Sequence, residues 1–354
     1  ATLLFTASLT CFVAYGLARG GVLTVALWAV RALYYLLSMF FLSSQLLRTR
    51  RQVEICLWII AVGLAIKGVQ GCWRFFVTLG GSLGEIPAIT GHEDALFMTT
   101  GLILLLALFL QRQRGPLFWF LLASAPPILF TFIVTQRRVA YGTLALSAIL
   151  TVLFLPRRAR RLAVRCAVPA LLLLVAYTAV FWNSRHAVAL PIRQVRSIFA
   201  EGREADTSNT YRKIENFNLQ HTIREHPEGV GFGNKYLIVM PLAEVDFPLW
   251  DYIPHNCILW MWAKTGWAGF LVFWFFFASL LAHLARDVLR ANDPRDKAVL
   301  LMVLTFLFSQ LIIAYYDLQI TFYRNMLYLG VALGLWTQWR ASGGAAAAET
   351  EADA

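Results

Sequence analysis

The side chains able to do chemistry are few in this chain, and they gather in one stretch. Pro254-His255-Asn256 opens an apolar run, nine residues pass, and Gly266 and Gly269 follow. Histidine at such a boundary is suited to taking a proton from an attacking hydroxyl near neutral pH. The same residue could instead cap the apolar helix, or only hydrogen-bond a ligand. Upstream, Tyr211, Ile214 and Phe217 recur at helical spacing until Pro227 and Gly229 stop the pattern, with Thr207 or Ser208 able to cap its start. On that helix Arg212, Glu215, Asn216 and Leu219 share a face, and Glu215 stands three residues beyond Arg212, within reach of an ion pair. A glycine-rich turn, Gly229-Val230-Gly231-Phe232-Gly233, comes next. No strand precedes it, so it is not a dinucleotide fingerprint. It either brings backbone close to a sugar or phosphate or serves as an ordinary tight turn. His221 and His226 read as structural or as lining for a sugar, and His283 falls at the opposite end of its apolar run.

The elements that position these residues are membrane helices. The chain has 354 residues, 59% hydrophobic and only 14% charged, with a mean hydropathy of +0.62, against roughly 25% charged in a soluble domain. Ten apolar segments read as spans: 2–18, 22–47, 53–79, 95–110, 116–135, 138–155, 165–182, 255–284, 298–316 and 322–339. The expected class is an all-α polytopic membrane protein with about ten transmembrane helices and one large, partly helical external loop. Its parts are a seven-helix bundle over 1–182, the loop over 183–254, the last spans over 255–340, and a disordered tail over 341–354. The chain begins at Ala1 rather than Met, so earlier spans are expected to be missing.

Clusters at Arg48, Arg50 and Arg51, at Arg112 and Arg114, at Arg157 to Arg165, and at Arg286 to Lys297 fall on alternate loops; with Arg340 they make fifteen basic residues on one side. That side is cytoplasmic by the positive-inside rule. The 71-residue loop 183–253 on the other side carries eight basic and nine acidic residues, so the formal charge of +11 belongs to the cytoplasmic face and does not indicate nucleic acid. Five cysteines show no paired or metal-ligand spacing.

Inside the spans the charges are cationic: Arg31, Lys67, Arg74, Arg137, Arg138, Lys264 and Arg324, the nearest carboxylates being Asp317 and Glu54 at span ends. An ion-coupled transporter needs a buried carboxylate, which counts against that class. Arg74, Arg137, Arg138, Lys264 and Arg324 lie near external helix ends and would together form a basic pocket for a ligand with an anionic head and an apolar tail, such as a polyprenyl pyrophosphate. Snorkelling to lipid headgroups is the alternative for each of them. The adjacent pair Arg137-Arg138 runs against the charge rule, which favours a role in function.

Read as His-Asn-x9-Gly-x2-Gly, the segment from His255 to Gly269 resembles the signature of the bacterial O-antigen ligase superfamily. Tyr211-Arg212 and the stretch from His226-Pro227 to Gly231-Phe232-Gly233 resemble the same family's loop. Gln136-Arg137-Arg138-Val139-Ala140 resembles its Ser-Arg-(Gly/Ala) motif, with Arg137 in place of the usual Ser. The resemblance spans about residues 130–340; the family commonly has twelve spans where ten are read here.

The resemblance implies a fold related to the C-type glycosyltransferases, in the bacterial inner membrane with its site facing the periplasm. The implied reaction moves a glycan from an undecaprenyl-pyrophosphate carrier to a hydroxyl of lipid A–core, without metal or cofactor. His255 would be the general base, with Arg212 and Arg138 stabilising pyrophosphate. Arg137, Asn256, Tyr211, Glu215, Asn216, His226, Gly231, Gly233, Lys264 and Arg324 would bind substrate. His92-Glu93-Asp94 is the one cluster that could hold a divalent ion. A polymerase acting on the growing chain and a protein O-oligosaccharyltransferase are the nearest alternatives. A lipid-linked glycan transporter and a non-catalytic scaffold are the alternatives of another class. The sequence leaves oligomeric state and sugar identity open.

Overall fold

A computed structural model describes residues 1–83, 89–91, 93–184, 189–196, 207–243 and 247–344. His92, Arg185, Arg203, the tail beyond 344 and the capping side chains of Thr207 and Ser208 lie outside the described residues. Helices follow one another with no strand among the described residues: α1 Thr2–Ala18, α2 Leu23–Leu46, α3 Arg50–Trp73, α4 Asp94–Leu110, α5 Pro116–Val134, α6 Arg138–Phe154, α7 Arg157–Phe181, α8 Leu190–Arg196, α9 Thr207–Glu225, α10 Cys257–Arg290, α11 Pro294–Tyr316 and α12 Tyr323–Trp339.

Among the described residues, six helical segments are long and apolar enough to cross a membrane: Leu23–Leu46, Arg50–Thr78, Pro116–Val134, Arg157–Phe181, Cys257–Arg290 and Pro294–Tyr316. Thr2–Ala18, Asp94–Leu110 and Arg138–Phe154 are apolar but shorter. The all-helical polytopic class holds at this level. The exposed side chains agree with it: Leu171 to Val175 on α7 are 57–71% exposed, a surface suited to lipid and costly in water.

The chain divides into two compact units. The first comprises Ala1–Leu46, Ala205–Ala285 and Gln310–Gly334. Within it, small residues let backbones approach closely. A Cβ added at Gly16 of α1 would stand 2.0 Å from the Phe232 carbonyl oxygen, and one at Gly330 of α12 would stand 2.9 Å from the Leu36 oxygen of α2. The Ser43 hydroxyl donates to the Gly330 carbonyl at 2.9 Å.

The second unit comprises Leu47–Glu204, Arg286–Ser309 and Leu335–Ala354. Leu64, Ala95, Met98, Ile128, Phe132 and Ala140 form a buried cluster there. Gly71 of α3 faces Thr131 of α5, whose hydroxyl donates to the Gly68 carbonyl at 2.7 Å.

Two expectations about charge change within this second unit. Lys67 is paired: its Nζ is 3.4 Å from Asp94, the first residue of α4, whose side chain is 3% exposed. The helix read as ending at 284 runs on to Arg290, which brings a buried carboxylate inside it. Asp287 accepts from Trp336 Nε1 at 2.7 Å and from Arg340 Nε at 3.1 Å.

Candidate active site

The first unit builds its site from α9 and from the start of α10. Asn256 is the residue before α10 and its Oδ1 accepts from the Leu259 backbone N–H at 3.0 Å, so Asn256 caps the helix and His255 is free of that task. The His255 side chain is one-third exposed, at 33%, while Glu215 of α9 is closed off at 1%. The Glu215 carboxylate accepts from the His255 backbone N–H at 2.9 Å and lies 3.2 Å from Nδ1. An ionised carboxylate only accepts hydrogen bonds, so Nδ1 carries the proton and donates it. Nε2 is then left as the ring's acceptor.

Glu215 therefore does not hold Arg212 as the helix spacing predicted. Arg212 Nε is buried without a hydrogen-bond partner among the described residues, as are the Tyr211 hydroxyl, Asn216 Oδ1 and Asn256 Nδ2. Tyr211 meets the His255 ring edge-on, with centroids 5.6 Å apart. Its hydroxyl is pushed up to about 12, first by burial and then by the Glu215 charge, so it stays a donor at neutral pH. Buried polar atoms in a folded protein are usually satisfied. Three donors and one acceptor are thus left open on α9 and at the start of α10, a set able to meet a polar ligand.

Other expected site residues take structural places. Gly231 and Gly233 have φ of 78° and 91°, and a Cβ on either would strike Gly16 or Val22. The Val230 and Gly231 N–H groups donate to the Ala263 and Lys264 carbonyls, both at 2.9 Å. Glycine there allows the turn to pack against α1, α2 and the kink of α10, where Gly266 sits at φ 56°. Lys264 is 1% exposed and its ammonium donates to the Asn234 carbonyl in that same turn. His226 belongs to a surface group with Glu228 at 3.4 Å, itself 3.2 Å from Arg19. The Glu228 N–H, His226 and Arg19 hold the Glu228 carboxyl below its usual range. Arg324 is exposed on the first turn of α12.

The five cations expected to share one pocket divide between the units, Lys264 and Arg324 in the first and Arg74, Arg137 and Arg138 in the second. Arg74 donates to the Ile89 carbonyl at 2.6 Å. Arg137 and Arg138 are half-buried at the N-terminus of α6, after a tight turn in which Gln136 takes φ 56°. The Tyr141 hydroxyl pins that turn by donating to the Ile133 carbonyl at 2.7 Å. Two guanidinium groups at a helix N-terminus make a strongly positive end suited to an anion.

Sequence reasoning missed the Glu215–His255 pair, because 40 positions of sequence separate its members and only the fold closes that gap. Fold and site together define a polytopic helical membrane protein with a carboxylate-held histidine among open polar groups. Residues 127–274, a segment that contains Arg137, Arg138, α9 and His255, match the family described as O-antigen ligase, Wzy_C. The resemblance read over residues 130–340 is thus matched as far as residue 274. No curated protein matches the chain.

Proposed function

We propose that the protein is a glycan ligase, moving an oligosaccharide or polysaccharide from undecaprenyl pyrophosphate to a hydroxyl of lipid A–core at the periplasmic face of the bacterial inner membrane. The observation that carries this reading is the Glu215–His255 pair with its ring of unpartnered polar atoms. It lies in a segment whose family implies a lipid-linked glycan donor.

In the proposed step the acceptor oxygen attacks the anomeric carbon as the bond from that carbon to the phosphate oxygen breaks. The acceptor proton passes to His255 Nε2, and the electron pair of the broken bond leaves with the pyrophosphate. Glu215 accepts the Nδ1 proton's hydrogen bond throughout, holding the tautomer and favouring the imidazolium that forms. Arg212 meets the charge growing on the leaving group, with Tyr211 and Asn256 supplying neutral donors. The chemistry needs no cofactor beyond these side chains. All ten apolar segments are spans in this reading, in a fold related to the C-type glycosyltransferases.

The test is transfer in membranes lacking the endogenous ligase, comparing wild type with His255→Ala and Arg212→Ala at matched expression. Wild type should consume the lipid-linked donor and join its glycan to lipid A–core, while both variants leave the donor intact. Glycan appearing only as longer donor-linked chains would make the protein a polymerase, and donor crossing the membrane unjoined would make it a transporter.

A further inference from the structure

After the turn at Gly231 the loop of the first unit carries an apolar run that no part of the site uses. Leu237, Ile238, Val239 and Met240 are consecutive and exposed by 36, 39, 53 and 42%. Such a run in water would ordinarily be mobile or folded inward, yet polar groups of α9 hold its backbone outward. The Asn218 side chain accepts from the Val239 and Met240 N–H groups at 3.0 and 2.9 Å and donates to the Met240 carbonyl at 2.8 Å. The Thr222 hydroxyl accepts from the Leu237 N–H at 2.9 Å. Asn218 and Thr222 are themselves fully buried, so two interior polar side chains are committed to presenting four greasy ones.

The two ends of this stretch of loop are tied to one membrane helix. Before it, the Val22 N–H donates to the Gly233 carbonyl at 3.0 Å, at the start of α2. After it, Phe247 lies against Trp28, a turn further into α2, with ring centroids 6.3 Å apart. At that end α2 exposes Val22, Leu23 and Leu27 by 45, 53 and 52%, on a helix long and apolar enough to span a bilayer. The run is thereby fixed beside the start of α2, next to apolar side chains that α2 turns outward.

We propose that Leu237–Met240 is a membrane-seating element, its side chains inserted among the acyl chains of the outer leaflet beside the start of α2. Insertion at this depth, about 5–10 Å below the headgroups, would fix the height of α9, and with it Glu215 and Arg212, relative to the surface where a lipid-linked substrate presents its phosphates. The inference rests on α2 crossing the membrane and is independent of glycan transfer.

The experiment places an environment-sensitive fluorescent amino acid at position 239 of the full chain, reconstituted in phosphatidylethanolamine–phosphatidylglycerol vesicles, with the exposed Lys213 position as control. Lipid carrying a nitroxide at carbon 5 of its acyl chain should quench position 239 about threefold more than position 213, with iodide showing the reverse order. Equal iodide quenching at both positions would overturn the proposal by leaving the run in water. A blue-shifted signal quenched by neither agent would overturn it in favour of coverage by protein, such as a second copy of the chain. Thermal unfolding in detergent should be unchanged for Val239→Glu, as expected of a position outside the core. Because no reading here depends on transfer, a failed ligase assay and a failed seating assay are separable.

Discussion

Glu215 sits 1% exposed with its carboxylate shared between the backbone and the ring of one residue, and that geometry assigns it a different task from the i,i+3 partner of Arg212 that helix spacing indicates. A carboxylate that orients a catalytic histidine acts through it, so Glu215→Gln should keep the fold and lower the transfer rate by about 10²-fold with little change in donor KM. Glu215→Asp, which keeps the charge on a shorter arm, should recover part of that rate. Arg212→Lys should recover little over Arg212→Ala, because a single ammonium does not reproduce the planar fork on a pyrophosphate. Tyr211→Phe removes one donor and should slow transfer by about 10-fold. Since the Tyr211 hydroxyl is raised to about 12, that variant should leave the alkaline limb of the pH–rate profile below about pH 11 where wild type has it. At this scale the sequence reveals which residues are candidates more readily than what they touch. His255, Asn256 and Arg212 are visible from type and motif. The cap at Asn256 and the contact from Glu215 depend on how α9 meets α10, which no local spacing encodes.

Helix placement is the most legible part of the chain, because a run of apolar residues long enough for a bilayer is its own signal. The expected 2–18 and 138–155 meet α1 at Thr2–Ala18 and α6 at Arg138–Phe154. The misses have a physical reason. α7 starts at Arg157 rather than 165, and α10 runs to Arg290 rather than 284, since hydropathy marks the apolar part of a helix and not the charged turns that continue it. Glycines were the other ambiguity. By sequence Gly231 suits a substrate and a turn alike, and a Cβ added there would stand 2.3 Å from the Gly16 Cα, a packing demand that only glycine meets. Gly231→Ala should therefore abolish accumulation of folded protein in membranes, whereas a binding role alone would leave amounts normal and raise KM. Asn256→Ala should cost about 1 kcal/mol of stability through the lost cap, seen as earlier unfolding in detergent, and Asn256→Asp should restore most of it while removing the open Nδ2 donor.

The whole molecule is organised by where its charge lies. By the positive-inside rule, fifteen basic residues on alternate loops would put one face in the cytoplasm and the loop bearing α9 on the other side. A phosphatase reporter fused after Pro241 should be active outside the cytoplasm and one fused after Gln113 silent; the opposite pattern would invert the orientation and remove the site from any externally displayed donor. The all-helical class follows from composition alone, because the bilayer imposes it, while the division into two compact units has no composition boundary to announce it. The central claim is that His255 and Glu215 act as one proton-accepting unit on an attacking hydroxyl. The most direct test measures initial transfer rates in liposomes containing purified protein, lipid-linked donor and acceptor, for His255→Ala, Glu215→Gln and the double variant. The account predicts that the double variant is no slower than His255→Ala alone, because the carboxylate has no task once the ring is gone. Losses that multiply, or a His255→Ala protein that transfers at the wild-type rate, would contradict it.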